Sequence, residues 1–243
     1  MKKKYLKRGK GQKLWDQAKK IIPGGNMFLS KKSETYLPGF WPSYYRSAQG
    51  CTVKDLDGKK YYDMTMSVGT NILGYSNKFV NNAVIKAIKN STMASLNSEE
   101  EVLLAKKLLQ MHSWAGGVKF ARTGGEANSL SLRIARSYSK NTNVAFCGYH
   151  GWHDWYLSAN LNRKGNLDKH LLKGLNPHGV PKELKNTVFP FEYGNFKQFL
   201  QIIKKRNIGI VKMEVARNVK PNQKFLKFVR QQCNKNKIIL IFD

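Results

Sequence analysis

The spacing of apolar and polar positions predicts mainly helices in the first part of the chain. Helical periodicity covers residues 13–22, 77–90 and about 98–111. Two short alternating runs on either side of Asp57-Gly58 predict a β-hairpin, because Asp-Gly is a strong two-residue turn signal. Residues 26–50 follow neither period, and we expect them to form loops.

From residue 118 onward the pattern changes to short apolar runs separated by helical segments. The helical segments cover residues 126–139, 195–206 and 221–235. Each apolar run is predicted to be a strand, and the runs are "VKFA" (118–121), "NVAFC" (143–147), "NTVFPF" (186–191), "IGIVKME" (208–214) and "KIILIFD" (237–243). Strands that alternate with helices build a mostly parallel sheet with helices on both faces, so the sequence predicts an α/β fold.

Composition narrows the class of protein. A chain of 243 residues, 41% of them hydrophobic, can bury a sizeable core. The three cysteines lie far apart and form no CxxC pair, which favours a reducing, cytoplasmic compartment. The basic N-terminal run precedes an amphipathic pattern, so a secretion signal is not expected. No window contains 18 consecutive apolar residues, so no membrane span is expected either.

The formal net charge of +28 raises the alternative of a nucleic-acid partner. The lysines are spread along the whole chain, however, and no DNA- or RNA-binding motif accompanies them. A basic, solvated surface is therefore the preferred interpretation. Weak binding that disappears at physiological salt would indicate nonspecific attraction only.

Three candidate binding residues follow predicted strands. Thr123 comes after "VKFA", Tyr149 after "NVAFC", and Asp243 ends "KIILIFD". Ligands of open α/β sheets bind beyond the carboxyl ends of the strands. We therefore expect these residues to lie near a ligand.

The segment "TGGEA" opens the helix predicted after the first strand. Thr123 and Glu126 have the T-x-x-E spacing of a capping box. Gly124 and Gly125 leave the first backbone N–H groups unobstructed, which suits a phosphate. The alternative is an ordinary capped helix with a glycine turn. The buried stripe of this helix is predicted to contain Ala127, Leu130, Ile134 and Tyr138.

The aromatic segment "CGYHGWHDWY" (147–156) admits several interpretations. His150 and His153 are three residues apart with Asp154 adjacent, but no third metal ligand has a recognised spacing. The density of rings suggests a surface on which a flat ring stacks. The alternative is an aromatic cluster in the core.

Two acidic residues, Glu214 and Asp243, end apolar runs. An acid in such a place is usually paired with a positive group. A protonated ring nitrogen of a cofactor would serve, because the carboxylate would hold the proton on the ring. For Asp243 the alternative is a helix cap.

In this order, the motifs resemble those of the class III, fold-type I PLP-dependent aminotransferases, in particular the branch around glutamate-1-semialdehyde 2,1-aminomutase. The resemblance covers the chain from about Trp15 to Asp243. It rests on "IPGGN", "VKDLDGKKYYDM", "SVGTNILGYSN", "VKFARTGGEANSLSLRIARSYS", "CGYHGWHD", "VKMEVAR" and "IILIFD". It implies the large domain of a fold-type I PLP-transferase, following an N-terminal helix and hairpin. It also implies a homodimeric full-length enzyme acting on a small amino or keto substrate.

The resemblance further implies that the cofactor is pyridoxal 5′-phosphate. Three residues would hold its phosphate: Thr123, Gly124 and Gly125. Tyr149 would stack on the pyridine ring with His150 beside it. Glu214 would lie near the cofactor, and Asp243 would pair with the ring nitrogen. The implied substrate pocket contains Lys31, Ser67, Val68 and Gly69.

The chain departs from the family pattern at four of these places. Gly125 replaces a threonine, so a hydroxyl contact to the phosphate is lost. Val215 replaces the proline that usually follows the glutamate. Val68 and Lys31 stand where the aminomutase has tryptophan and arginine. These last two departures fit better an aminotransferase acting on another compound, such as a sugar-linked or small-molecule precursor.

No lysine of the chain matches the family's catalytic lysine, which forms a Schiff base with the cofactor and then moves a proton. We therefore expect the N-terminal part of an aminotransferase, with residues 1–75 as an N-terminal segment and 76–243 as a partial cofactor-binding domain that lacks the C-terminal part. We expect the isolated chain to be a poor catalyst. The alternative is a non-catalytic subunit or truncated gene product that needs a lysine-bearing partner chain.

Overall fold

The computed structural model describes residues 7–170, 173–216 and 220–243; part of the basic N-terminal run, residues 1–6, lies outside this range. The chain forms two compact units, Met1–Leu103 and Leu104–Asp243, which are described separately below. The domain boundary predicted between residues 75 and 76 stays a prediction.

The first unit combines helices with a three-stranded antiparallel sheet of order β1-β2-β3. The predicted hairpin around Asp57-Gly58 is formed by β2 and β3, and Gly58 has a φ of +85° in the turn. The elements are α1 (Lys10–Ile21), a 3-10 turn (Leu29–Lys31), α2 (Ser33–Tyr36), β1 (Tyr45–Gln49), β2 (Thr52–Asp55), β3 (Lys60–Tyr62) and α3 (Lys78–Asn90), and α4 (Glu99–Met111) begins here.

The strand β1 corrects the expectation of a continuous loop over residues 26–50. Its residues are mostly exposed and show no apolar alternation, so the sequence pattern carried no strand signal. The strand forms because its backbone pairs with β2, from Tyr45 opposite Asp55 to Gln49 opposite Thr52.

The second unit is built on a four-stranded parallel sheet of order β5-β4-β6-β7. Helices lie between its strands in sequence, as predicted for an α/β fold. The elements are α5 (Gly124–Ser139), β4 (Val144–Cys147), α6 (Asp154–Leu157), α7 (Ala159–Asn162), a 3-10 turn (Lys182–Leu184), β5 (Val188–Pro190), α8 (Phe196–Lys205), β6 (Ile210–Met213), α9 (Gln223–Lys235) and β7 (Ile239–Phe242).

Both faces of this sheet are covered by apolar side chains. On one face, α8 and α9 contribute Phe199, Phe225 and Val229 to the core. On the other face, Leu132 of α5 and Tyr156 of α6 pack against the sheet. All residues of β4 and β6 are buried, which explains why these strands appear in the sequence as nearly continuous apolar runs.

Two further expectations for the second unit are wrong. Residues 118–121 form no strand: they are mostly exposed and pair with neither edge strand, and an apolar run becomes a strand only where a neighbour completes its hydrogen bonds. The predicted buried stripe of α5 is also misplaced, since Ile134 is 55% and Tyr138 84% exposed. The helix instead buries Asn128, Leu132 and Ala135.

Candidate functional site

The carboxyl ends of three parallel strands bring predicted site residues to one edge of the sheet. Tyr149 and His150 follow β4, Glu214 follows β6, and Asp243 follows β7. Thr123, Gly124 and Gly125 stand at the beginning of α5 in the same unit. All seven residues predicted to bind a cofactor therefore belong to the second unit.

His150 and Asp243 form the central contact of this edge. The Nδ1 atom of His150 lies 2.6 Å from Oδ2 of Asp243, and its Nε2 atom lies 3.1 Å from the carbonyl oxygen of Cys147. A carbonyl oxygen only accepts hydrogen bonds, so Nε2 carries a proton. The other ring nitrogen, Nδ1, faces the carboxylate. The buried imidazole and Asp243 therefore form a hydrogen-bonded pair.

The carboxyl group of Asp243 is held in its ionised form. Burial by itself would raise the pKa of Asp243, but the hydrogen bond and charge of His150, the charge of Lys212 and a hydrogen bond from Asn128 together lower it. Asn128 belongs to α5, so this interaction ties the start of α5 to the end of β7. An ionised carboxylate in such a place can accept a hydrogen bond from a cationic ring nitrogen.

Lys212 is a buried residue of the site that the sequence analysis did not select. Its side chain is 2% exposed, on β6, and Nζ donates a hydrogen bond to Oγ of Ser131 at 3.2 Å. Burial lowers the pKa of Lys212 to about 8, against the charge of Asp243, which acts to raise it. The sequence does contain a signal for this buried residue, because Lys212 interrupts the otherwise apolar run "IGIVKME".

The beginning of α5 has the predicted cap, with one change. Oγ1 of Thr123 accepts a hydrogen bond from the N–H of Glu126 at 3.2 Å. Oε2 of Glu126 accepts from the N–H of Arg122, at 2.9 Å, rather than from Thr123. The helix starts at Gly124, where an added Cβ atom would meet no other atom within 4 Å. The backbone N–H groups of Gly124 and Gly125 are therefore the ones left for a ligand in this first turn.

Gly125 lies against His153, which the sequence pattern raised as a metal ligand and not as part of a cofactor site. A Cβ atom at Gly125 would lie 2.8 Å from Nε2 of His153, so the imidazole occupies the space of a side chain at position 125. The ring is held from its other side, because Nδ1 of His153 lies 2.8 Å from Oγ of Ser129. No sequence motif links Gly125 with His153, because the two positions are distant in the chain.

Tyr149 and Glu214 are joined through the backbone. The N–H of Tyr149 donates to Oε2 of Glu214 at 3.3 Å. Gly148 makes this approach possible: its φ is +106°, and a Cβ atom there would lie 2.8 Å from Cδ of Glu214. The half-buried ring of Tyr149 meets the ring of Tyr156 edge to face, with centroids 6.1 Å apart.

The aromatic segment thus serves two roles. Trp155 and Tyr156 are buried in the core, as the core-cluster alternative required, whereas Tyr149 remains half-buried at the edge of the sheet. Trp155 also lines a recess with Ser129 and His153. Among the residues described, its indole nitrogen is the one buried side-chain nitrogen or oxygen that has no hydrogen-bond partner. Within the described ranges, no three His, Cys, Asp or Glu side chains are placed to bind a metal.

The residues predicted to line a substrate pocket belong to the first unit. Ser67 and Val68 are left-handed, with φ of 53° and 60°, and Gly69 continues at 80°. A β-branched residue rarely adopts this conformation, so the turn stores strain of the kind found in ligand-binding loops. Val68 is 77% exposed, and Oγ of Ser67 lies 3.1 Å from the hydroxyl oxygen of Tyr75.

Lys31 ends the 3-10 turn of the first unit. Its Nζ atom lies over the ring of Phe28, 5.5 Å from the centroid. The side chain therefore has an aromatic contact but no carboxylate partner among the described residues.

The donor and acceptor groups of the second unit fit a phosphate-bearing aromatic cofactor. The open first turn of α5 and the hydroxyl of Thr123 can bind a phosphate. The ionised Asp243 can hold a protonated ring nitrogen.

Among the helices in the described part of the chain, none has both the length and the apolar composition of a membrane span.

Comparison with known proteins identifies relatives over nearly the whole chain. The chain is 30% identical to a 3-aminobutyryl-CoA aminotransferase of Cloacimonas acidaminovorans, over 98% of this chain and 55% of that protein. It is 32% identical to a glutamate-1-semialdehyde 2,1-aminomutase of Methanococcoides burtonii, over 96% of this chain and 55% of that protein. The chain thus spans about half the length of these curated relatives.

Solved structures have the same fold. An omega-transaminase from Sphaerobacter thermophilus superimposes with a TM-score of 0.82 at 22% identity, over 97% of this chain and 55% of that one. A transaminase with PLP bound superimposes with a TM-score of 0.81 at 22% identity, over 95% of this chain and 54% of that one. These likenesses confirm the predicted fold-type I architecture.

The sequence profile of the family "Aminotransferase class-III" matches residues 39–182, more than half of the chain. This region includes the cap of α5 and the aromatic segment after β4. The resemblance expected from the motifs is therefore confirmed, and the chain belongs to the class-III aminotransferases.

Proposed function

We propose that this chain is the cofactor-binding part of a pyridoxal 5′-phosphate-dependent aminotransferase or aminomutase that moves an amino group on a small amino or keto compound. The observation that carries the proposal is the ionised carboxylate of Asp243, held at the edge of the sheet by His150 and Asn128. Relatives named as aminotransferase and aminomutase support the same reaction class.

The phosphate would bind at the beginning of α5. Thr123 uses its oxygen to accept from Glu126, which leaves the hydroxyl proton for a phosphate oxygen. The positive end of the helix dipole and the unobstructed backbone at Gly124 supply the remaining stabilisation. Gly125 lacks the hydroxyl of the family pattern, and the imidazole of His153 stands in the corresponding space.

The ring nitrogen would be bound by Asp243. When bound, the cofactor supplies a cationic ring that accepts electrons from the reacting carbon of the substrate. Asp243 keeps the proton on the ring nitrogen, because its carboxylate is ionised and fixed. His150 orients that carboxylate through Nδ1 and is itself oriented by the carbonyl of Cys147.

Tyr149 and Glu214 would complete the cofactor site. Tyr149 presents a half-buried ring on which the cofactor ring stacks. Glu214 accepts from the N–H of Tyr149 and so fixes the backbone that carries both Tyr149 and His150.

The substrate would contact residues of the first unit. We assign this role to Lys31, Ser67, Val68 and Gly69, of which the strained turn at Ser67 and Val68 gives the strongest support. Lys31 has the charge to bind a carboxylate. Residues 1–75 would form the N-terminal segment and 76–243 part of the cofactor-binding domain.

Three further assignments belong to the proposal. The full-length enzyme is a homodimer, works in the cytoplasm, and takes its catalytic lysine from outside residues 1–243. The segment by itself accordingly binds the cofactor but transfers amino groups poorly. Its net charge of +28 gives only salt-sensitive, nonspecific attraction to nucleic acids.

Binding of pyridoxamine 5′-phosphate tests the proposal. This form of the cofactor carries no aldehyde, so it does not react with the many lysines of the surface. Isothermal titration calorimetry should give saturable binding, weakened about tenfold by Asp243→Asn, or ~1.4 kcal/mol. Thr123→Ala should weaken it by a similar factor.

Two controls separate the roles of phosphate and ring. Pyridoxamine without phosphate should bind more weakly and should no longer respond to Thr123→Ala. Gly116→Ala, in open space away from α5, should leave the dissociation constant unchanged. Absence of saturable binding at millimolar ligand, or equal binding by wild type and Asp243→Asn, would contradict the proposed function.

A further inference from the structure

Lys212 is a buried cation for which the proposed function gives no role. It is 2% exposed and lies on β6, a strand in which all four residues are buried. Ser131 is a neutral hydrogen-bond partner and does not balance its charge. A buried charge of this kind lowers stability unless it is compensated, and such residues concentrate at functional sites.

Two groups interact with Lys212 directly: Ser131 of α5, which is uncharged, and Asp243 at the end of β7. Lys212 pairs with Ile241 of β7, and Asp243 is two positions further along that strand, so the two side chains lie on the same side of the sheet. Asp243 is in turn bound to His150, which follows β4. Asp243 interacts electrostatically with both His150 and Lys212, so one carboxylate faces two possible cations.

A cationic ring nitrogen would add another positive group beside this carboxylate. A protonated Lys212 and a protonated ring nitrogen would then both face one carboxylate, which can neutralise only one of them. The two positive charges repel each other, and the burial of Lys212 limits screening by water. Among the described residues Lys212 has no anionic hydrogen-bond partner, whereas His150 is bound to Asp243, so Lys212 is the group that releases its proton.

We infer that Lys212 is a positioning residue that balances the charge at Asp243: it is protonated while the carboxylate is free and loses its proton to solvent when the cationic ring nitrogen of the cofactor binds there. This inference rests on the proposed function for the identity of the ring. Its basis is the cluster formed by the buried Lys212 and His150 with Ser131 and the partly exposed Asp243. The lowered pKa of Lys212 agrees with it, because little free energy is then needed to remove the proton.

The charge of Lys212 can be followed directly by carbon NMR. The chain is prepared with lysine labelled at Cε, and the Lys212 signal is identified by its absence in Lys212→Met. In the ligand-free chain, Asp243→Asn should lower the midpoint of the Lys212 titration by about one pKa unit or more, because a nearby opposite charge is removed. Lys140→Met, at an exposed position, should leave the Lys212 titration unchanged.

The second measurement uses the wild-type chain and saturating pyridoxamine 5′-phosphate. The midpoint of Lys212 should fall again by about one unit or more as the ring nitrogen binds to Asp243. Calorimetry near pH 8 in buffers of different ionisation enthalpy should detect release of a proton, and Lys212→Met should abolish that release.

The possible outcomes separate the inference from the proposed function. A Lys212 midpoint that is the same in wild type and Asp243→Asn overturns the coupling. Binding of pyridoxamine 5′-phosphate without any change at Lys212 overturns the ligand-linked proton loss. No binding at all refutes the proposed function and the ligand-linked part with it, while the measurement on the ligand-free chain still decides the coupling.

Discussion

His150 and Asp243 are 93 positions apart in the sequence, yet Nδ1 of the imidazole lies 2.6 Å from Oδ2 of the carboxylate. The contact joins the segment after β4 to the end of β7, which lie on either side of β6 in the sheet. Because the strands are parallel, both ends reach the same edge. Four predictions concern this edge and the residues around it, and a fifth concerns the cysteines.

Asp243 should stabilise the folded chain above acid pH. Its pKa is lowered in the folded state, so the stabilisation is present above the unfolded value of 3.8 and is lost as the pH falls through the lower folded value. Urea unfolding between pH 6 and pH 2 should therefore show a steeper loss for wild type than for Asp243→Asn. At pH 7 the substitution should cost about 1 kcal/mol, since the side chain is partly exposed. If the unfolding free energies of the two proteins fell in parallel with pH, this stabilising role of Asp243 would be contradicted.

Lys212 should destabilise the folded chain at neutral pH. Its folded pKa, about 8, lies below the ordinary lysine value of 10.5, so the unfolded chain binds more protons in this window and stability rises with pH between these values. Lys212→Met should therefore raise the unfolding free energy at pH 7 by about 3 kcal/mol, at 1.36 kcal/mol per pKa unit. The gain should shrink as the pH rises from about 8 to 10.5 and be largely lost above that value. Lys197→Met, at an exposed position, is the control. A loss of stability in Lys212→Met at pH 7 would show that the charge is fully compensated.

Gly125 and His153 should be energetically coupled. Gly125→Thr restores the side chain of the family pattern but meets Nε2 of His153, so alone it should cost about 1 kcal/mol. His153→Ala vacates the space, and the double variant should recover most of that loss. The measurement is a double-mutant cycle by urea unfolding. Additive effects would indicate that the imidazole does not occupy the space beside position 125.

Gly148 should not tolerate a side chain. Gly148→Ala places a Cβ atom at a φ of +106° and 2.8 Å from Cδ of Glu214. The substitution should cost about 1–3 kcal/mol and displace the carboxylate that accepts from Tyr149. Gly116→Ala, where an added Cβ meets nothing within 4 Å, is the matched control and should change stability by less than about 0.5 kcal/mol. Equal stabilities for the two variants would disprove the crowding.

The three cysteines should differ in reactivity. Cys51 is exposed, whereas burial raises the pKa of Cys147 and of Cys233 to about 12. Thiolates are the reactive species, so a maleimide should modify only Cys51 in the native chain and all three cysteines in denaturant. Mass spectrometry of the adducts measures this. Rapid native labelling of Cys233 would show that α9 opens from the sheet.

Much of the second unit could be predicted from local patterns. The strands β4, β5, β6 and β7 lie within the predicted apolar runs, because strands buried on both faces have a strong sequence signal. The cap of α5 was predicted at Thr123 because capping depends on residues three apart. The strand β1 and the unpaired residues 118–121 were not predicted, since strand formation depends on a partner elsewhere in the chain.

The sequence by itself determined most of the elements, the family and the residues that follow β4, β6 and β7, because these depend on spacing over a few positions and on motifs of fixed order. Only the tertiary structure decided which groups meet. It placed Lys212 near Asp243 and the ring of His153 against Gly125, and it buried Asn128 and Ala135 of α5 instead of Ile134. These relationships are set by the packing of α5 and the parallel strands, and no local pattern encodes the distance between side chains that are far apart in the chain.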